Sequence, residues 1–287
     1  MPDRSNDVLD SLLGLLACPD CRGDLGREGA GLICRSCSRT YEVRDGIPLL
    51  ARCGSSEQWG VPPEGPTSVD YQKQFLQSNI GELYQRRYER RWSKRWVTGR
   101  EIGRIRHLLA SQPRCRRLLD LPCGGGRVSD PIAAATDLLL QADLSLGQVL
   151  TARETMGPQG HAAWFTASAF MIPLKDGAVD GAVCNRLTHH LPSAVEVERL
   201  VGELLRVSTG FVILSYCDHG SVRSLGRRLR GKSPGKTLRR DDLRALAQRY
   251  GASVGLDIPF WGPGSRLRYV LLRKGTHDPA SLDRAAG

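Results

Sequence analysis

From Arg116 onward, short apolar runs alternate with stretches of helical periodicity, the pattern of a mostly parallel sheet whose strands are joined by crossover helices. The runs Arg117 to Leu121, Leu138 to Ala142, Ala162 to Thr166, Val179 to Cys184, Phe211 to Tyr216, Val254 to Phe260 and Leu267 to Leu272 predict seven strands in one α/β domain over residues 114–275. Two intervening helices carry capping-box patterns, Ser145 with Gln148 and Ser193 with Glu196. Ahead of this domain, Val69 to Leu109 reads as helical, with breaks near Gly81 and Val97-Thr98-Gly99, and predicts a helical cap over residues 69–113. Residues 53–68 are rich in Pro and Gly, which discourage helix and sheet, and predict a linker. Residues 12–52 form a compact cysteine-bearing unit that opens on a short apolar stretch, Leu12 to Ala17, and residues 276–287 predict a flexible tail.

A chain of 287 residues suits about two domains. No apolar run approaches the roughly 20 residues needed to span a bilayer. Met1-Pro2-Asp3-Arg4 is not a signal-peptide start, so the expectation is a cytoplasmic protein without a transmembrane segment. The formal charge of +11 is local. Residues 84–117 hold 12 Arg and Lys against Glu89 and Glu101, and residues 221–240 hold 8 against no acid, so the rest of the chain is net acidic. Two basic stretches point to an anionic partner, with RNA one candidate.

Of nine cysteines, four lie in two tight pairs and Cys53, Cys115, Cys123, Cys184 and Cys217 stand singly, which fits metal binding plus free thiols better than disulfides. Cys18-Pro19-Asp20-Cys21, twelve residues, then Cys34-Arg35-Ser36-Cys37 places four thiolates where two knuckles can close around one tetrahedral zinc. Four sulfur ligands leave no position for water. The zinc is therefore expected to be structural, supplying about 10 kcal/mol of folding free energy to a unit too small for its own core. The run Tyr41-Glu42-Val43-Arg44-Asp45-Gly46-Ile47-Pro48-Leu49-Leu50 resembles the small zinc-ribbon activator proteins of tRNA and release-factor methyltransferases. That resemblance implies a protein-binding module, here acting in cis or toward a separate partner.

Leu118-Leu119-Asp120-Leu121-Pro122-Cys123-Gly124-Gly125-Gly126-Arg127 reads as a strand ending in an acid and a glycine-rich turn into a helix. Glycines let a backbone approach a ligand and adopt positive φ. The next half-unit, Leu138 to Asp143, ends in an acid 17 residues after Gly126, where a carboxylate can accept both ribose hydroxyls of a nucleoside. With the blocks Phe165 to Leu174, Asp176 to Cys184 and Leu187 to Leu191, residues 114–275 resemble the class I S-adenosylmethionine methyltransferases. The resemblance implies a Rossmann-like seven-stranded sheet with helices on both faces. It implies that Asp120, Pro122, Gly124 and Gly126 shape the methionine end of the donor pocket and that Asp143 binds the ribose. Ser168 and Ala169 would lie against the adenine, and Cys184 and Asn185 would end the strand facing the methyl group. Pro122 stands where many members have glycine, and Ser168 where most have an aspartate. A nicotinamide-dinucleotide reading needs Gly-x-Gly-x-x-Gly, which residues 120–129 do not supply, and Gly231 to Thr237 is one residue short of a P-loop spacing.

Methyl transfer from a sulfonium uses an already activated donor, so the protein mainly aligns the nucleophile and excludes water. Where the acceptor must lose a proton, His189, His190, Tyr216, Asp218 and His219 are the candidates; the plainer reading is that the paired histidines cap a turn. Tyr84, Tyr88, Trp92 and Trp96 recur every four residues among arginines, a pattern that either buries against the sheet or stacks single-stranded nucleic acid. The first expectation is an active methyltransferase with a small-molecule or lipid-like acceptor. The alternatives are an RNA methyltransferase, since ribosomal-RNA guanine methyltransferases also join a zinc ribbon to this fold, and a non-catalytic adaptor with a degenerate pocket.

Overall fold

The computed structural model describes residues 9–10, 12–51, 92–157, 161–191, 193–231 and 237–275. The expected linker, the cap as far as residue 91 with Tyr84 and Tyr88, the tail, and most of the Gly231 to Thr237 segment lie outside them.

The cysteine-bearing unit is a three-stranded antiparallel sheet, β1 (Leu25–Glu28), β2 (Gly31–Cys34) and β3 (Thr40–Tyr41), followed by a two-stranded ladder, β4 (Val43–Arg44) and β5 (Ile47–Pro48). Helix α1 (Trp92–Leu109) leads into alternating elements: β6 (Cys115–Asp120), α2 (Asp130–Ala133), β7 (Thr136–Asp143), α3 (Leu146–Met156) and β8 (Ala162–Thr166). Then come β9 (Val179–Cys184), α4 (Ala194–Val207), β10 (Ser208–Cys217), α5 (Val222–Leu229), α6 (Arg240–Arg249), β11 (Ala252–Pro259) and β12 (Leu267–Lys274). All seven expected strands form and join in the order β11-β12-β10-β9-β6-β7-β8. β12 runs antiparallel to both neighbours and the other pairings are parallel, so the sheet is the mostly parallel, Rossmann-like one expected.

Alternate residues of each strand serve opposite faces. Leu118, Leu139, Val183 and Ile213 pack with Ile105, Leu108 and Ile132 on one face. Leu119, Leu140, Ala182, Val212 and Leu214 pack on the other with Leu200 and Leu204 of α4 and Leu243 and Leu246 of α6. The N-terminal unit joins this second core: Leu12, Leu16, Leu32 and Leu50 are buried in the same cluster as Phe165, Ile172 and Leu174. Backbone pairing fixes that docking. Leu16 bridges Leu174 antiparallel, Ala17 N donates to Pro173 O at 3.0 Å, and Lys175 N donates to Leu15 O at 2.9 Å. At the sheet's edge, Leu49 bridges Thr166 of β8 in parallel, and Ala51 N donates to Thr166 Oγ1 at 3.0 Å. An open edge strand offers unpaired amides to other chains, and residues 49–51 cover part of this one.

Three local expectations are corrected. α1 runs without a break through Val97-Thr98-Gly99: the cost of about 1 kcal/mol for glycine in a helix is outweighed by burying Ile105 and Leu108 farther along. Ser193 and Glu196 form the reciprocal capping box, but Ser145 and Gln148 do not. There the carboxylate of Asp143 orders the turn instead, accepting from Ser145 N at 3.1 Å. Trp96 does not bury against the sheet; it lies 52% exposed and stacks on Trp261 with ring centroids 4.3 Å apart.

Candidate active site and metal centre

The parallel sheet reverses its order between β6 and β9, and in such sheets ligands bind beyond the strand ends at this point. Leu121 N donates to Val183 O and Cys123 N to Ala142 O, so the chain leaving β6 is held between β9 and β7 before it turns. Pro122, joined to Leu121 by a cis peptide bond, precedes Gly124 and Gly126, with φ of 53° and 79°. A Cβ at Gly126 would stand 3.2 Å from Ala152 Cα, so glycine lets the turn pack directly on α3. A Cβ at Gly124 would meet nothing within 4 Å, which leaves open space above the turn.

Two buried carboxylates end β6 and β7. Asp143 Oδ2 accepts from Gly124 N at 3.0 Å and Oδ1 from Ser145 N, so it ties the glycine turn to the start of α3. Burial raises its carboxyl to about 6, against the lowering effect of the Ser145, Gly124 and Leu144 amides. Asp120 is fully buried; Oδ2 accepts from Ser129 Oγ at 2.6 Å, and Oδ1 has no partner among the described residues. Burial raises Asp120 to about 7, opposed by the Ser129 hydrogen bond and supported by the nearby Asp143 charge. Behind it runs a polar chain that sequence reasoning missed: Trp164 Nε1 donates to Gln141 Oε1 at 2.8 Å, and Gln141 Nε2 donates to Ser129 Oγ at 2.7 Å. Gln141, polar within the apolar run of β7, was its visible trace.

A second missed group lies across the turn. Glu101 of α1 is fully buried and bridges the guanidiniums of Arg127, which follows the glycine turn, and Arg186, which follows β9. Arg127 also donates to Thr98 Oγ1 at 2.9 Å, and Arg186 N to Ser215 Oγ at 2.6 Å. Its trace is an acid among twelve bases. Two cations around one buried carboxylate satisfy the rule that buried charge is paired.

The other expected site residues are placed as follows. Cys184 is fully buried at the end of β9, where burial raises its thiol above the ordinary range. Asn185 Oδ1 accepts from Tyr269 OH at 2.9 Å. Ser168 Oγ accepts from Phe170 N at 3.3 Å, which engages it in its own turn, and Ala169 is half-buried beside it. His189 and His190 sit in a 3₁₀ turn, Thr188–His190, with ring centroids 4.2 Å apart. Tyr216 is corrected as a candidate base: its ring is fully buried and its hydroxyl donates to Asp257 Oδ2 at 2.7 Å. Burial and that carboxylate push its hydroxyl well above the ordinary tyrosine range. Asp218 pairs with Arg240 at 2.6 Å, and His219 lies between Thr237 and Arg228.

The four paired cysteines converge. Their sulfurs all lie within 4.8 Å of one another, with Cys18 to Cys37 at 3.7 Å and Cys21 to Cys34 at 3.4 Å. Metal–sulfur bonds of about 2.3 Å in a tetrahedron require sulfurs about 3.8 Å apart, so the cluster fits zinc in size and donor type. The two knuckles match. Arg22 N donates to Cys18 O at 2.8 Å and Ser38 N to Cys34 O at 2.9 Å, with positive φ at both Arg22 and Ser38. Tyr41 OH lies 2.9 Å from Cys18 Sγ and donates to Asp20 Oδ2, an outer hydrogen bond that orients the site.

Two family models match separate segments of the chain. A family model described as a methyltransferase domain matches residues 119–214, and one described as Trm112p-like protein matches residues 10–46. A UPF0434 protein of Bordetella petrii is 49% identical over 55 residues, 18% of this chain and 90% of that protein. One of Hahella chejuensis is 46% identical over 41 residues, covering 14% and 68%. Among solved structures, magnesium protoporphyrin IX methyltransferase from Synechocystis with bound SAH superposes with a TM-score of 0.56 at 16% identity, covering 71% of this chain and all of that one. At that identity the likeness speaks for the fold. Sheet, glycine turn and family match together define a methyltransferase of the class I fold. The chain thus carries a methyltransferase domain with the fold of the S-adenosylmethionine-dependent enzymes, and a Trm112p-like domain ahead of it.

Proposed function

We propose that the chain transfers a methyl group to a small-molecule or lipid-like acceptor, with the donor in the crevice between the glycine turn and Asp143. The observation that carries this reading is the buried Asp143 carboxylate, hydrogen-bonded to the amide of Gly124 beside a turn with open space above it. S-Adenosylmethionine, when bound, supplies an activated methyl on a sulfonium. Asp143 accepts from the ribose hydroxyls, and Oδ1 of buried Asp120, without a partner among the described residues, suits the donor's ammonium. Pro122, Gly124 and Gly126 form the floor, Arg127 and Arg186 offer cations for the donor's carboxylate, and Ser168 and Ala169 wall the adenine. Cys184 and Asn185 close the strand end below the methyl. His189 and His190 stand at the same rim as candidates for taking an acceptor proton.

Cys18, Cys21, Cys34 and Cys37 hold structural zinc in this reading. The ribbon's protein partner is the chain's own catalytic domain, reached through the Leu16 and Leu49 bridges. The division into ribbon (12–52), linker (53–68), cap (69–113), catalytic domain (114–275) and tail (276–287), and a cytoplasmic location, belong to the same proposal. Among the described residues no helix is long and apolar enough to cross a membrane. The acceptor class rests on exposed apolar side chains near the strand ends, Trp261 after β11 and Val222 after β10. The test is tritiated methyl transfer into fractionated cell extract. Label in the small-molecule or lipid fraction supports the reading; label confined to RNA or protein contradicts it.

A further inference from the structure

We propose that α5 and the β11–β12 loop form a docking surface for an anionic phospholipid bilayer, beside the mouth of the crevice. At 100° per residue, Val222, Leu225 and Leu229 fall within about 60° of one another around α5. They are 69%, 46% and 80% exposed. Arg223, Arg227 and Arg230 run along one side of that stripe and Arg228 along the other, all exposed. Ser221 and Ser224 face inward: Ser221 accepts from Ser224 N to cap the helix, and Ser224 Oγ donates to Asp218 O at 3.0 Å. The helix is thus pinned by its polar side while its apolar side points away from the protein, the reverse of a core-facing helix. An aliphatic stripe edged by arginines is the arrangement of helices that lie in a membrane interface, with leucines in the acyl boundary and guanidiniums at lipid phosphates.

An independent observation extends the surface. The loop between β11 and β12 carries Trp261, 47% exposed and stacked on Trp96, with the Arg100 guanidinium 4.7 Å from the Trp261 ring centroid. Arg100 fixes this pair by donating to Phe260 O at 2.6 Å and Trp261 O at 2.9 Å. Gly264 of the same loop touches α5, since a Cβ there would stand 2.7 Å from Val222 Cγ2. Tryptophans with one wet and one apolar side concentrate at membrane interfaces. Charge complementarity points to the lipid type: Arg223, Arg227, Arg228 and Arg230 bring four exposed cations and no acid to α5, which calls for an anionic headgroup. Three exposed aliphatic side chains favour acyl chains over nucleic acid, which is held by phosphate contacts and by stacking on aromatic faces. The two Trp rings here spend one face each on the other.

This surface extends the lipid-like acceptor reading but is tested without it. The full chain is floated with phosphatidylcholine vesicles with and without phosphatidylglycerol, no donor or acceptor being present. The expected result is binding to the anionic vesicles only. Leu225→Ser with Leu229→Ser should weaken it about tenfold or more, since each loses most of a leucine's transfer free energy. Arg223→Glu with Arg230→Glu should weaken it as well, and donor affinity by calorimetry should stay unchanged in both variants. The inference is overturned by an absence of vesicle binding, or by binding that ignores the leucine substitutions. Tighter, leucine-independent binding to RNA would likewise assign the surface to a polyanion.

Discussion

The two flanks of the crevice are finished in opposite ways. At the β8 flank, residues 49–51 run along the edge strand, and Leu16, Leu32 and Leu50 share one core with Phe165 and Leu174. At the β10 and β11 flank, Val222, Leu225, Leu229 and Trp261 stay exposed among arginines. The buried flank borders Asp143 and the segment proposed to hold the donor's adenosine, a ligand that never varies. The exposed flank borders the side proposed for the acceptor. Packed core thus lies beside the proposed donor site, and open apolar surface beside the proposed docking surface.

Withdrawing the proposed zinc from the packed flank should cost the most stability. The protein should contain one zinc per chain, and Cys34→Ser or chelation should withdraw about 10 kcal/mol from the ribbon. Because the ribbon's core is continuous with the sheet's, Tm of the whole chain should fall; metal-free protein with an unchanged Tm would mean that the packed flank does not depend on the zinc. Next, Leu16→Ala should cost about 2–5 kcal/mol in urea unfolding, whereas Leu229→Ala should stay within about 0.5 kcal/mol. Equal costs would mean that the two flanks do not differ.

A smaller effect depends on pH. Asp143 and Asp120 are raised to about 6 and about 7, so folding favours their protonated forms. Their contribution to stability is complete below the ordinary carboxylate range and is lost as pH rises through 6 to 7, so the donor-free protein should lose Tm between pH 5 and 8. Donor affinity should move the other way, weakening as pH falls through about 6 because Asp143 must be ionised to accept from the ribose. Calorimetry across that range checks it, and Asp143→Asn should flatten the dependence.

The sequence made the seven strands legible because strands buried in a parallel sheet are apolar runs between helical stretches, and Val179 to Cys184 and Ala162 to Thr166 coincide with β9 and β8. The four cysteines were legible because knuckle spacing carries its own geometry. Glu101 and Ser129 were not, since each acts through partners 26 or more and 9 residues away, at distances set only by the folded sheet. Tyr216 misled for a related reason: a strand-end position does not say which way the side chain leaves the sheet, and Asp257 on β11 captures its hydroxyl. Ser145 looked like a helix cap because the competing acceptor, Asp143, belongs to the preceding strand.

In the proposed reaction the glycine turn and the carboxylate ending β7 hold an adenosyl sulfonium between them. Calorimetry of S-adenosylmethionine binding to the Asp143→Ala variant tests it most directly, with zinc content and Tm as folding controls. Losing two hydrogen bonds to a charged acceptor, each worth about 1.5–3 kcal/mol, should weaken binding roughly a hundredfold or more. A well-folded variant that binds the donor as tightly as the unaltered chain would mean that Asp143 does not hold it.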